Sequence, residues 1–183
     1  MLGVKFLNFT RKTTAHIVKY KYFTLDVSNV MLPTAYMTDR QLEIWSLRLK
    51  GLSKAEIGRI LGITRQAVYD AEGVMLEKVE QALMHTADSN MIEAEYVDPT
   101  QGVLLGRNPV NKQKVIITFS PRNGVQTWHY QHPDCSVCKW VSRCRERLIM
   151  EAEERGIPLS GEEKDLPPSE LANVIFSSLI PGI

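Results

Sequence analysis

Residues 53–72 read SKAEIGRILGITRQAVYDAE, and the side on which each residue falls decides the fold around them. Ser53 followed by Glu56 is a capping box, in which hydroxyl and carboxylate each satisfy an orphan amide, so a helix opens here. Ile57, Ile60 and Leu61 then share an apolar stripe, and Gly58 stands where two crossing helices need a side chain no larger than alanine. Gly62 ends this helix, Ile63 plugs the turn, and Thr64 caps a second helix whose buried face continues through Val68, Ala71 and Met75. Left pointing outward are Thr64, Arg65, Gln66, Tyr69 and Asp70. This is the sidedness of a helix-turn-helix. Arg and Gln in the first turn carry the donor and acceptor geometry that matches guanine and adenine edges, which predicts insertion into a DNA major groove. The competing reading is a helical hairpin whose polar residues simply face water.

The flanks extend the pattern. Thr38 with Gln41 makes another capping box, and Leu42, Trp45 and Leu49 form an apolar stripe, so Thr38 to Lys50 reads as a supporting helix ended by Gly51. The stretch MTDRQLEIWSLRLKGLSKAEIGRILGITRQAVYDAEGVMLEKVEQAL resembles the archaeal Tfx-type regulators over about Thr38 to Leu83, and more distantly sigma factor region four and the LuxR-type DNA-binding unit. The resemblance implies a tri-helical DNA-binding domain with the helix from Arg65 in the major groove, and so a base-contacting role for Arg65, Gln66 and Tyr69. Gly73 falls inside that helix, at a cost of about 1 kcal/mol relative to alanine.

A chain of 183 residues with 44% apolar and 8% aromatic content has enough material for one large or two small cores. No stretch approaches the ~20 apolar residues of a membrane span, and the start lacks a signal peptide's apolar run, so a cytoplasmic protein is expected. Met31 and Met37 offer later translation starts. The net charge of +1 is low for a DNA binder, but it is unevenly spread. Residues 1–36 hold Lys5, Arg11, Lys12, Lys19 and Lys21 against Asp26 alone, which predicts a basic arm or one or two short strands able to touch phosphates. Residues 156–183 hold Lys164 against Glu162, Glu163, Asp165 and Glu170.

Past the three helices the period changes. Val68, Ala71, Met75, Val79, Ala82 and Leu83 continue an apolar seam that suits either a homodimer contact or core packing. From Met91 to Tyr130, IEAEYV and VQTWHY alternate and KVIITF is a short apolar run, with turn signals at Asp98-Pro99, Asn108-Pro109 and Arg122-Asn123-Gly124. These predict an antiparallel sheet of three or four strands. Cys144 to Arg155 and Pro168 to Leu179 read as helices, with Glu151, Glu153 and Glu154 as a solvated face. The expected fold is α+β: an arm at 1–36, a tri-helical helix-turn-helix domain at 37–86, and at 91–183 a small antiparallel sheet with C-terminal helices and a Cys/His cluster.

That cluster is WHYQHPDCSVCKWVSRCRER, spaced H-x2-H-x2-C-x2-C-x5-C, and it contains all three cysteines of the chain. Cys135 and Cys138 have the separation that lets two thiolates grip one ion from a tight turn, Cys144 can return from the next helix, and His132 or His129 can complete a Cys3His tetrahedron around Zn2+. An iron–sulfur cluster is the competing cofactor. C-x2-C-x5-C looks like the three clustered ligands of some iron–sulfur nucleases, but there is no fourth cysteine here, and a histidine would have to stand in. Metal-free thiols, structural or redox-sensing, are the third option. Lys139, Arg143, Arg145 and Arg147 crowd the loop, and their charge favours the thiolate.

No nucleotide-binding, hydrolase or metalloprotease motif is present, and Cys135 beside His132 reads better as ligands than as a nucleophile with its base. The chain is therefore expected to be no enzyme, but a transcription regulator that binds double-stranded DNA, as a homodimer, through Thr64, Arg65, Gln66, Tyr69 and Asp70, with a metal-binding or redox-sensing second half. Two alternatives stand beside it: a sigma-like adaptor that contacts RNA polymerase, and an iron–sulfur redox protein with an accessory DNA-binding domain.

Overall fold

The computed structural model describes residues 18–20, 23–25, 37–129 and 134–183. The chain divides into two units, Met1–Met31 and Leu32–Ile183. In the first, β1 (Val18–Tyr20) pairs antiparallel with β2 (Phe23–Leu25). The rest of the expected basic arm lies outside the described residues.

The second unit opens with three helices, each begun by a side-chain cap. Thr38 and Gln41 form a reciprocal box before α1 (Asp39–Leu49), and Ser53 and Glu56 form one before α2 (Lys54–Leu61). Thr64 Oγ1 accepts from the Ala67 amide at 3.0 Å to start α3 (Arg65–Ser89). Gly62, at φ 65°, supplies the left-handed residue that stops α2. Gly73 does not interrupt α3, because it is exposed and the helical hydrogen bonds run past it.

Four strands follow as an antiparallel meander: β3 (Glu93–Asp98), β4 (Val103–Arg107), β5 (Lys114–Ser120) and β6 (Gly124–His129), in spatial order β3-β4-β5-β6. Helices α4 (Val141–Glu154), α5 (Gly161–Asp165) and α6 (Pro168–Leu179) complete the chain. The sheet is covered on both faces, which the strand alternation requires. Leu104, Val115, Ile117 and Phe119 face α1 and α3, whereas Val103, Leu105 and Ile116 face Leu148 of α4 and Leu171, Ile175 and Phe176 of α6.

The three helices therefore have no core of their own. Trp45 of α1, fully buried, meets the Phe119 ring at a centroid distance of 4.8 Å and lies over Gly102, where a Cβ would come within 2.8 Å of its ring. The core from Ile57 and Val68 to Leu104 and Phe119 is continuous. The seam of α3 is spent in that core: Val68, Met75, Val79, Ala82 and Leu83 are buried within the chain, so a dimer contact would have to use another surface.

Two further expectations are corrected. Ile60 is 59% exposed, not part of the buried stripe, because Ile57 and Gly58 already face the crossing helix. Glu151 and Glu154 are buried, leaving only Glu153 of the expected solvated face exposed. Glu151 pairs with Arg155 at 2.5 Å and accepts from Asn123 Nδ2 at 2.6 Å, while Glu154 accepts from the Ser120 hydroxyl and the Arg122 amide. Arg155 in turn donates to the carbonyls of Gln101, Gly102 and Phe119, so the end of α4 is bolted to the β3–β4 turn and the end of β5. Burial pushes the Glu151 carboxyl up, against the opposing pull of the Arg155 charge.

Candidate nucleic-acid interface and cysteine cavity

The crossing of α2 and α3 is set by Gly58, where an added Cβ would sit 2.7 Å from the Ile63 carbonyl oxygen. Even alanine is therefore too large, a tighter limit than the sequence pattern implies. A carboxylate then ties the three helices together. Glu72 of α3, nearly buried, takes Arg48 Nε of α1 at 2.6 Å and Lys54 Nζ of α2 at 2.7 Å. Burial pushes its carboxyl up, but the hydrogen bonds from Lys54 and Arg48 and their two charges outweigh this and hold it below the ordinary glutamate range. Arg40 adds a bond from α1 to the Leu61 carbonyl at the end of α2.

On this braced frame Thr64, Arg65, Gln66, Tyr69 and Asp70 are all exposed, as their sidedness predicts. Gln66 Nε2 donates to Asp70 Oδ1 at 2.8 Å, which orients the amide along the helix face. Lys54 Nζ lies 5.3 Å from the centre of the Tyr69 ring. Arg65 shares the rim of a surface hollow with Thr64 and with Arg59 of α2. Sequence reasoning does not single out Arg59; its signal is a cation in the last turn of α2, just before the turn into α3.

The cysteines sit where β6 passes into α4. Asp134 Oδ1 accepts from the Ser136 amide at 3.0 Å and starts a single 3-10 turn, Cys135–Val137, after which α4 begins. Cys135, Cys138 and Cys144, all free thiols, line one cavity of about 210 Å³ together with His129. Its other walls include Ile116 and Trp128 of the sheet, Leu148 of α4 and Phe176 of α6. Cys135 Sγ is 3.8 Å from Ser169 Oγ. Burial raises the Cys144 thiol, and the neighbouring Cys138 and Cys135 raise it further, with Arg143 and Arg147 pulling the other way. The structure thus gathers the three cysteines and His129 around a common space. Among the described residues no three His, Cys, Asp or Glu side chains are arranged to hold one metal ion as they stand, and His132 lies outside the described residues. Trp140, at the N-cap of α4, provides no side-chain cap hydrogen bond and is half exposed, with Lys139 and Arg143 over its ring at 5.1 and 5.7 Å.

Among the described residues no helix is long and apolar enough to cross a membrane. Two archaeal proteins are similar to part of this chain, each provisionally named a transcriptional regulatory protein. The one from Thermococcus kodakarensis is 42% identical over 48 residues, which is 26% of this chain and 32% of its own length. The one from Pyrococcus abyssi is 45% identical over 47 residues, again 26% of this chain and 32% of its own. The chain thus spans about a third of the length of these curated relatives. No family model and no solved structure matches it.

Proposed function

We propose that this chain is a sequence-specific DNA-binding transcription regulator whose second half carries a thiol-lined cofactor or redox site. The observation that supports it best is the first turn of α3, where Arg65 and Gln66 stand exposed on a helix that Glu72 and the sheet hold rigid. A base-reading side chain needs that rigidity, because a hydrogen bond to a base edge is specific only if the donor is already aimed. Arg59 beside Arg65 places positive charge at the same rim, which favours a DNA phosphate backbone over the polymerase surface an adaptor would dock. The names of the two relatives agree with a regulator, and the Tfx-type resemblance with the way α3 would lie in the groove. A two-fold operator would call for a dimer built on a surface outside the buried seam of α3. Three thiols and an imidazole are the donor set of Zn2+ and of iron–sulfur clusters alike, with Cys135, Cys138, Cys144 and one of His129 or His132 as ligands.

The test is selection of a preferred duplex from a random pool, followed by titration of Arg65→Ala on that duplex and on random DNA. If Arg65 reads a guanine, the variant loses about 1–3 kcal/mol on the preferred site and tolerates other bases at one position. Equal losses on both duplexes reduce Arg65 to a phosphate contact. No loss on either removes α3 from DNA recognition.

A further inference from the structure

We propose that the cavity between β6, α4 and α6 houses a four-iron, four-sulfide cubane cluster held by the thiolates of Cys135, Cys138 and Cys144, with His129 as ligand to the fourth iron. This rests on reading the cysteine cavity as a cofactor site, and goes beyond it by choosing between the two metal centres that share the donor set.

Size decides the choice. A structural zinc is enclosed by its own ligands: with Zn–S bonds of about 2.3 Å, tetrahedral sulfurs lie only about 4 Å apart, and no space is left among them. Among the described residues no three donors are set to hold one ion as they stand, yet His129 and the three cysteines all line one cavity of about 210 Å³. One water needs only about 10–15 Å³ by the same measure, so the cleft is roomy for a single ion and has space for a larger group. A cubane is a body rather than a point, and it is gripped at its outer corners by thiolates set further apart than those of one ion.

The walls fit the same occupant. Leu148 and Ile116 are buried, and Trp128 and Phe176 meet at 5.6 Å, so much of the lining is apolar. Low polarity around the sulfurs is also what keeps solvent off such a cluster. The ligands arrive from consecutive elements: His129 from the end of β6, Cys135 and Cys138 from the turn, Cys144 from the first turn of α4. They can therefore approach a bulky group from separate stretches of backbone. Finally, the start of α4 has no side-chain cap at Trp140, and its positive end lies within a turn of Cys138 and Cys144, where it offsets thiolate charge.

The chain is purified anaerobically, reconstituted with ferric iron, sulfide and an excess of a dithiol that reduces part of the iron, and analysed for metal and acid-labile sulfide. Iron and sulfide in equal amounts, about four of each per chain, support the proposal, together with a brown colour that bleaches on reduction. Protection of all three wild-type cysteines from alkylation only after reconstitution supports it without any variant. Cys138→Ser and Cys144→Ser should lose the iron, whereas Ser136→Ala, exposed in the same turn, should keep it. One zinc per chain that iron and sulfide do not displace overturns the proposal, as does a reconstituted chain that carries no iron and still alkylates at three thiols. DNA binding is scored separately, so loss of either reading leaves the other measurable.

Discussion

Replacing Glu72 by glutamine tests whether one carboxylate holds the three helices in register. The change keeps the side chain's shape and one acceptor oxygen, but removes the charge that Arg48 and Lys54 share at 2.6 and 2.7 Å. The carboxylate is 11% exposed, while the two cations are 32% and 29% exposed and can recover some hydration. A hydrogen bond to a buried charged group contributes about 1.5–3 kcal/mol, and an exposed ion pair about 1 kcal/mol or less. Two bonds of intermediate burial, partly replaced by the amide, put the loss at about 2 kcal/mol near neutral pH. Urea unfolding at a series of pH values reads it directly, and the continuous core predicts one shared transition for helices and sheet. The pH dependence has a fixed sign. The Glu72 carboxyl titrates lower in the folded chain than in the unfolded one, so its contribution is present above the ordinary glutamate pKa and is lost as pH falls through the folded value. The gap between wild type and Glu72→Gln should therefore close in acid. A variant within about 0.5 kcal/mol of wild type at pH 7, or a gap that persists unchanged into strong acid, would refute the hub.

The two glycines inside α2 and α3 should respond in opposite directions. Gly73→Ala, with open space around it on the exposed face of α3, should raise stability by about 1 kcal/mol, whereas Gly58→Ala should lower it, because the new Cβ meets the Ile63 carbonyl. Thermal melts of the two variants check this, and a stabilised Gly58→Ala would show that the crossing can relax. Arg155→Met should cost about 3–5 kcal/mol by leaving the buried Glu151 carboxyl without its cation, and much of that should return in the double variant with Glu151→Leu. If the double variant is no better than the single one, the bonds from Arg155 to the Gly102 and Phe119 carbonyls carry the stability instead.

What the sequence determines alone is local. Capping boxes at Thr38 and Ser53, the stop at Gly62 and the cap at Thr64 each act within four residues, so the bounds of α1, α2 and the start of α3 can be read from spacing, and with them the outward position of Arg65 and Gln66. The α+β class and the helix at Pro168–Leu179 are legible for the same reason, since periodicity and proline act on neighbours. Strand β4, VLLGR, is less so, because a strand buried on both faces loses its alternation. The short helix Gly161–Asp165 escapes as well, because its five residues are too few for a period. Only tertiary structure decides what depends on partners far away in the chain. Trp45 could seal a private core or dock on a sheet, and the residue it meets, Phe119, lies 4.8 Å away in space but far along the sequence. A run of glutamates in α4 looks solvated until Asn123, Ser120 and Arg155 supply the bonds that let two of them be buried. The cysteine spacing likewise permits a single ion, a cluster or free thiols. The space left between β6, α4 and α6 is a property of packing, and no spacing of residues along a chain encodes it.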